Sequence, residues 1–222
     1  MINTLSSSSL FKGISNEDIT KLFQNEVYKI NTYKKNEVIA NQGDDCSTLS
    51  IILSGNVSIQ NLYENGKILT LANFTDGDIF GEALIFSINH EYPATVISTS
   101  NSKVLFIPKD TILSLMHKSH KFTENTLRIF SNKILLLNRK IHLIELDSIR
   151  KKVCKILIDN YKTTNSLIYN ITSKKSLSEE IGVPRPSLSR ELISMRDLGL
   201  LEFDLKEIRI LNLEALEDEF FD

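Results

Sequence analysis

The sequence predicts an α+β chain: an N-terminal antiparallel β-roll of the double-stranded β-helix or jelly-roll kind, one long helix, and a C-terminal winged helix-turn-helix. Three observations carry that prediction. Short β-branched runs broken by turn residues fill the stretch from Tyr28 to Pro108. A stretch free of Gly and Pro, from Lys118 to Ile149, repeats apolar residues in heptads. After Asp147, short helical patterns give way to two strand-like runs. The boundaries that follow are 1–117 for the roll, 118–146 for the helix and 147–222 for the C-terminal domain.

The composition agrees with a folded, two-domain protein. The chain has 222 residues, 41% hydrophobic and 24% charged, which excludes a wholly disordered or collagen-like polymer. It contains no run of 18 apolar residues, so no membrane span is expected. The N-terminus MINTLSSSSLFKG lacks a basic start followed by an apolar block, so no secretory signal is read there and a cytoplasmic setting is expected. Net charge is −2, which supplies no global basic field. Any nucleic-acid binding must therefore come from a local patch.

Taken in order, Ser15-Asn-Glu-Asp18 reads as a capped helix start that carries Ile19, Leu22 and Phe23. The strand-like runs are Glu37-Val-Ile-Ala, Leu49-Ser-Ile-Ile-Leu, Val57-Ser-Ile-Gln, Lys67-Ile-Leu-Thr-Leu, Thr95-Val-Ile-Ser and Val104-Leu-Phe-Ile. Gly43, Gly55, Gly66 and Gly77 punctuate them, as tight turns require. Many short strands at such spacing favour an antiparallel sandwich or roll.

In the long helix, Leu127, Ile134 and Ile141 share one heptad position, and Phe130, Leu137 and Ile144 share the other. Burying six such side chains is worth roughly 1.5–3 kcal/mol each before ordering costs. A helix packed on its own domain's sheet would show a similar stripe. A strict two-position seam is narrower than a globular core normally needs, which favours a homodimer.

In the C-terminal part, Ile149, Val153, Ile156, Leu157 and Tyr161 suit one amphipathic helix. Ser173 caps a second, Gly182 permits a sharp turn, and Pro186 sits in the first turn of a third, where its missing N–H costs nothing. Leu177 and Ile181 face inward from one helix; Leu188, Leu192, Met195 and Leu198 are expected to do so from the next. Leu200-Leu-Glu-Phe and Ile208-Arg-Ile-Leu form the wing.

That packing leaves Arg185, Ser187, Ser189 and Arg190 outside, on the part of a helix-turn-helix that enters the major groove. Arg185 and Arg190 are the candidates for base edges, because a guanidinium fork fits guanine O6 and N7 together. Ser189 lies beside them, while Ser187, Lys174 and Lys175 are placed for phosphates. Residues 174–196 hold five Lys or Arg against three Glu, whereas residues 197–222 hold two against nine acids. The acidic tail should face away from DNA.

The C-terminal motif, Ser173 to Glu202, and the roll segment Gly77-Asp-Ile-Phe-Gly-Glu-Ala-Leu84 resemble those of the Crp/Fnr superfamily of transcription regulators. The resemblance covers nearly the whole chain, in the right order of parts. It implies a sensory β-roll, a dimer helix, an inverted-repeat DNA operator and contact with RNA polymerase. In members that bind cyclic AMP, the glutamate of the Gly-Glu-Leu motif holds the ribose, and an Arg-Ser pair about ten residues later holds the phosphate. Gly81 and Glu82 are present here, but Tyr92 and Pro93 stand where the arginine and serine would be. The anion loses its cation and hydroxyl. Physiological cyclic-nucleotide binding is therefore not expected.

Two readings of the roll stay open. An unidentified small molecule binds among Gly81, Glu82, Ala83, Leu84, Tyr92, Pro93, Ala94 and Thr95, or the corner is vestigial and the dimer constitutively active. Tyr92 serves the first by stacking on an effector and the second by filling the old phosphate space as core.

No cofactor or metal is expected. Two cysteines, Cys46 and Cys154, are too few for a four-cysteine iron–sulfur cluster. His90, His117, His120 and His142 lack partners at ligand spacing. A haem role for His90 and a redox role for Cys46, in a turn exposed enough to oxidise, are minor alternatives. No enzyme motif appears: GxxxxGK[ST], GxSxG and HExxH are all absent. The competing non-enzymatic reading is a sensory subunit that regulates a protein partner.

Overall fold

The computed structural model describes residues 1–63 and 66–221. The chain divides into two compact units, Met1–Asn132 and Lys133–Asp222. The first opens with α1 (Ile2–Ser7), a 3-10 turn and α2 (Asn16–Leu22). Ser15 caps α2 as its sequence predicts, its hydroxyl oxygen accepting the Asp18 N–H at 3.1 Å. Ile19, Leu22 and Phe23 are buried.

Eight strands follow: β1 (Lys29–Tyr33), β2 (Val38–Ala40), β3 (Thr48–Ser54), β4 (Val57–Leu62), β5 (Ile68–Phe74), β6 (Ile79–Phe80), β7 (Thr95–Ser98) and β8 (Ser102–Pro108). They form two antiparallel four-stranded sheets, ordered β1-β8-β3-β6 and β2-β7-β4-β5. Consecutive strands lie in opposite sheets at every step except β4 to β5, and the two sheets enclose one core. The β3–β8 register pairs Leu49 with Ile107 and Ile51 with Leu105, four side chains at 0–1% exposure. Gly55 turns β3 into β4 at φ +94°, and a Cβ there would stand 2.4 Å from the Asn101 carbonyl oxygen. No other residue fits that turn without moving the backbone.

Helices α3 (Lys109–Lys118) and α4 (His120–Glu145) follow. The first turns of α4 belong to the roll's core through Phe122, Asn125 and Thr126. Asn125 Nδ2 donates to the carbonyls of Leu10 and Lys12 at 3.0 and 2.9 Å.

The second unit contains α5 (Ile149–Thr164), β9 (Ile168–Asn170), α6 (Lys174–Glu180), α7 (Arg185–Asp197), β10 (Leu201–Phe203), β11 (Glu207–Ile210) and α8 (Leu213–Phe221). The wing carries a third strand that the sequence did not suggest, since the sheet order is β10-β11-β9. Leu177, Ile181, Leu188, Leu192 and Met195 are buried against Val153, Leu157, Leu201, Ile208 and Leu216. Leu198 departs from expectation at 56% exposure. Helix α7 ends at Asp197, and Gly199, at φ +73°, turns the chain before the next inward position. Among the described residues, no helix is long and apolar enough to cross a membrane.

Candidate nucleic-acid interface and effector corner

A capped helix, a tight turn and a second helix with proline in its first turn build the outer face of the second unit. The Ser173 hydroxyl accepts the Ser176 N–H at 3.0 Å and starts α6. Gly182 adopts φ +69° with nothing within 4 Å of its absent Cβ, so conformation and not crowding calls for glycine. The Val183 N–H returns to the Ser178 carbonyl at 3.0 Å, and α7 then begins at Arg185 with a proline in its first turn.

Once Leu188, Leu192 and Met195 turn inward at 0% exposure, the rest of α7 must face outward. Arg185, Pro186 and Arg190 are exposed, and Ser187 and Ser189 are half-buried. The Arg190 guanidinium donates to the Ser187 hydroxyl at 3.4 Å, one turn back. On α6, the Lys174 ammonium lies 4.2 Å from the centroid of the Phe203 ring, a cation–π contact that limits its wandering. Lys175 is exposed and pairs loosely with Glu179 at 3.7 Å.

The three glutamates in this basic stretch are all engaged. Glu179 meets Lys175, Glu180 accepts from the Tyr169 hydroxyl at 3.2 Å, and Glu191 accepts from Arg150 Nε at 2.7 Å. Arg185 and Arg190 are both exposed, while each of these carboxylates has a partner of its own. Ile193, 43% exposed, follows Arg190 by three residues and adds an apolar spot that the sequence reading overlooked; its phase, off the stripe of Leu188, Leu192 and Met195, was the available signal.

In the first unit, residues 43–46 and 90–92 form a second constellation. The Cys46 N–H donates to the His90 carbonyl at 2.7 Å, Tyr92 N–H to Asp44 at 2.9 Å, and Gly43 N–H to Tyr92 at 2.9 Å. This short ladder pins Tyr92 in the core, where it is 7% exposed. Gly81 sits across the corner: a Cβ there would stand 3.1 Å from Cys46 Sγ and 3.7 Å from the Tyr92 hydroxyl. Burial, with the Cys46 thiol adding to it, pushes the Tyr92 hydroxyl far above the ordinary phenol range. Glu82, Ala94 and Thr95 are buried, Gly81 and Leu84 half-buried, and Ala83 and Pro93 exposed. Cys46 is not the exposed turn thiol that the sequence suggested. It is 1% exposed, donates toward the Thr48 carbonyl at 3.5 Å, and has its pKa raised by burial. His90 Nδ1 is 2.5 Å from Asp45, and no cluster of three or more metal-ligating side chains occurs among the described residues.

The long helix presents a third surface. Leu127, Ile134, Leu137, Ile141 and Ile144 are 52–66% exposed, and Phe130 is half-buried. The face that α4 gives to its own core carries Phe122, Asn125 and Thr126, and the heptad seam lies elsewhere.

Residues 30–119 match the cyclic nucleotide-binding domain model, and residues 151–219 match the Crp-like helix-turn-helix domain model. The chain belongs to the Crp/Fnr superfamily. This regulator is 20% identical to the cyclic AMP receptor protein of Thermus thermophilus, over 96% of its own length and 97% of that relative. It is 26% identical to the regulatory protein HlyX of Actinobacillus pleuropneumoniae, over 91% of this chain and 86% of the other. The solved structure of CprK shares the fold, with a TM-score of 0.64 and 14% identity over 91% of this chain and 93% of that one. The regulator is accordingly a DNA-binding transcription factor of the Crp/Fnr type, a family of regulators and not of enzymes.

Proposed function

We propose that the chain acts as a homodimer that reads an inverted repeat through α7. Arg185 and Arg190, with Ser189 between their positions, would contact base edges; Ser187, Lys174 and Lys175 would contact phosphates. The observation that carries this reading is the outward placement of both arginines on a helix whose opposite face is sealed in the core. Two such helices related by a two-fold axis would meet successive major grooves about 34 Å apart. Where one branch of the family places a glutamate, this chain has Pro186, which cannot accept from cytosine N4, so its half-site differs from that branch's.

The exposed heptad seam supports the dimer. Five large aliphatic side chains in register on one helix face are costly to leave in water, and a second copy of the same seam covers them. The division of labour is then a sensory roll over 1–117, a dimer helix over 118–146 and a DNA-binding domain over 147–222. RNA polymerase is the further partner that this reading implies.

The roll is proposed to work without a cyclic nucleotide. Tyr92 supplies no cation for the phosphate, and Pro93 supplies neither a hydroxyl nor an N–H. Losing a charge-assisted hydrogen bond of that kind costs a few kcal/mol, about a hundredfold in affinity. The burial of Tyr92 favours a corner filled by the chain itself, and hence a constitutively active dimer, over an empty effector site. Calorimetry tests this: no heat of binding is expected with cyclic AMP or cyclic GMP, and a micromolar Kd for either would overturn it. A thermal-shift screen covers other effectors, and a metabolite that raises Tm would restore the ligand-controlled reading.

A further inference from the structure

The Arg150 side chain joins three helices of the second unit. It lies near the start of α5, two residues after the capping Ser148, whose hydroxyl accepts the Lys151 N–H at 3.1 Å. From there Nε donates to Glu191 Oε1 at 2.7 Å, Nη2 to Ser194 Oγ at 3.1 Å and Nη1 to Glu219 Oε2 at 2.9 Å. Glu191 and Ser194 stand three residues apart on one flank of α7, and Glu219 belongs to α8. Arg150, Glu191 and Glu219 keep only 24–33% of their side-chain surface exposed. We propose that Arg150 is a positioning residue for DNA reading: it fixes the flank of α7 through Glu191 and Ser194, backs that grip with Glu219, and cancels the carboxylate directly after Arg190.

This inference rests on the reading of α7 as the helix that meets DNA. Glu191 would otherwise place a negative charge on the element that approaches phosphates, where it would repel the duplex and compete for the Arg190 guanidinium. A lysine cannot replace the fork, since three partners in two helices need donors fixed in a plane. The same arrangement gives the acidic C-terminal helix a use. Glu219 holds the rear of the guanidinium, and the remaining acids of α8 need not approach DNA.

The test uses the full chain and two duplexes, one selected by the wild type from a randomised library and one of scrambled sequence. Arg150→Met is expected to lower affinity for the selected duplex about tenfold or more, and to lower the ratio of selected to scrambled binding, because one partner of a charge pair is left alone on the reading helix. Adding Glu191→Gln in that background should recover part of the lost affinity by removing the stranded charge but leave selectivity low. Glu191→Gln by itself, which keeps the Ser194 and Glu219 contacts of Arg150 but weakens its grip on α7, should lower selectivity less than Arg150→Met does. Arg150→Lys should lie between, with affinity partly kept and selectivity reduced. Circular dichroism and Tm establish that each variant is folded. Should Arg150→Met unfold, the comparison of Arg150→Lys with and without Glu191→Gln decides the matter. The proposal is overturned if the folded Arg150 variants retain both affinity and selectivity, or if Glu191→Gln restores nothing. Failure of the wild type to select any sequence would instead sink the DNA reading of α7.

Discussion

The guanidinium of Arg190 reaches back one helical turn to the hydroxyl of Ser187, at 3.4 Å. The residue proposed for a base edge is thus held by the one proposed for a phosphate, on the exposed side of a helix whose other side is packed in the core. The long contact leaves the remaining N–H groups of the fork free to take a base, so the pair pre-orients Arg190 without consuming it.

Replacing Arg190 with Ala should cost about 1–3 kcal/mol on the selected duplex and relax one base position in each half-site. Fluorescence anisotropy on a panel of single-base variants measures both. An equal loss on scrambled DNA would instead assign Arg190 to phosphates.

Replacing Leu137 with Asp should dissociate the proposed dimer, because each seam would carry one charge into the same contact. Sedimentation equilibrium should show monomers. The roll should keep its melting temperature, since Leu137 is 59% exposed and adds nothing to that core.

Replacing Ser173 with Ala removes the cap of α6 and should lower stability by about 1 kcal/mol. Thermal melting reads the change. DNA affinity should fall with it, since Lys174 and Lys175 occupy the first two positions of that helix.

Neither cysteine should behave as a redox sensor. Burial pushes the Cys154 thiol up to about 12 and raises that of Cys46, and both side chains are at most 1% exposed. Iodoacetamide should label neither at pH 8 in the native protein and both after denaturation. The linkage has a sign: a folded pKa above the unfolded value of 9.0 gives stability that is complete below pH 9 and is lost toward pH 12. Melting temperature should therefore decline through that alkaline window.

Much of this architecture is written in local pattern. The six strand-like runs each overlap a strand, the caps at Ser15 and Ser173 form, and five of the six heptad residues of α4 are exposed, with Phe130 half-buried. Local chemistry fixes all of them, through alternation, turn residues and side-chain hydrogen bonds to nearby N–H groups. What escaped depends on distance along the chain. Arg150 finds Glu191 and Glu219 across separations of 41 and 69 residues, and strand β9 exists because Tyr169 pairs with Ile208. Cys46 looked exposed since it follows a polar turn, yet the ladder to residues 90–92 closes over it. Leu198 continues the apolar period of α7, but the helix stops one residue earlier.

Selection of bound fragments from a random duplex library by the full chain tests the central claim most directly. The expected product is an inverted repeat with half-site centres about 34 Å apart, bound with an affinity that falls steeply as salt rises. Enrichment of no sequence, or of a single unpaired half-site that survives loss of both Arg185 and Arg190, would contradict a dimer that reads DNA through these arginines.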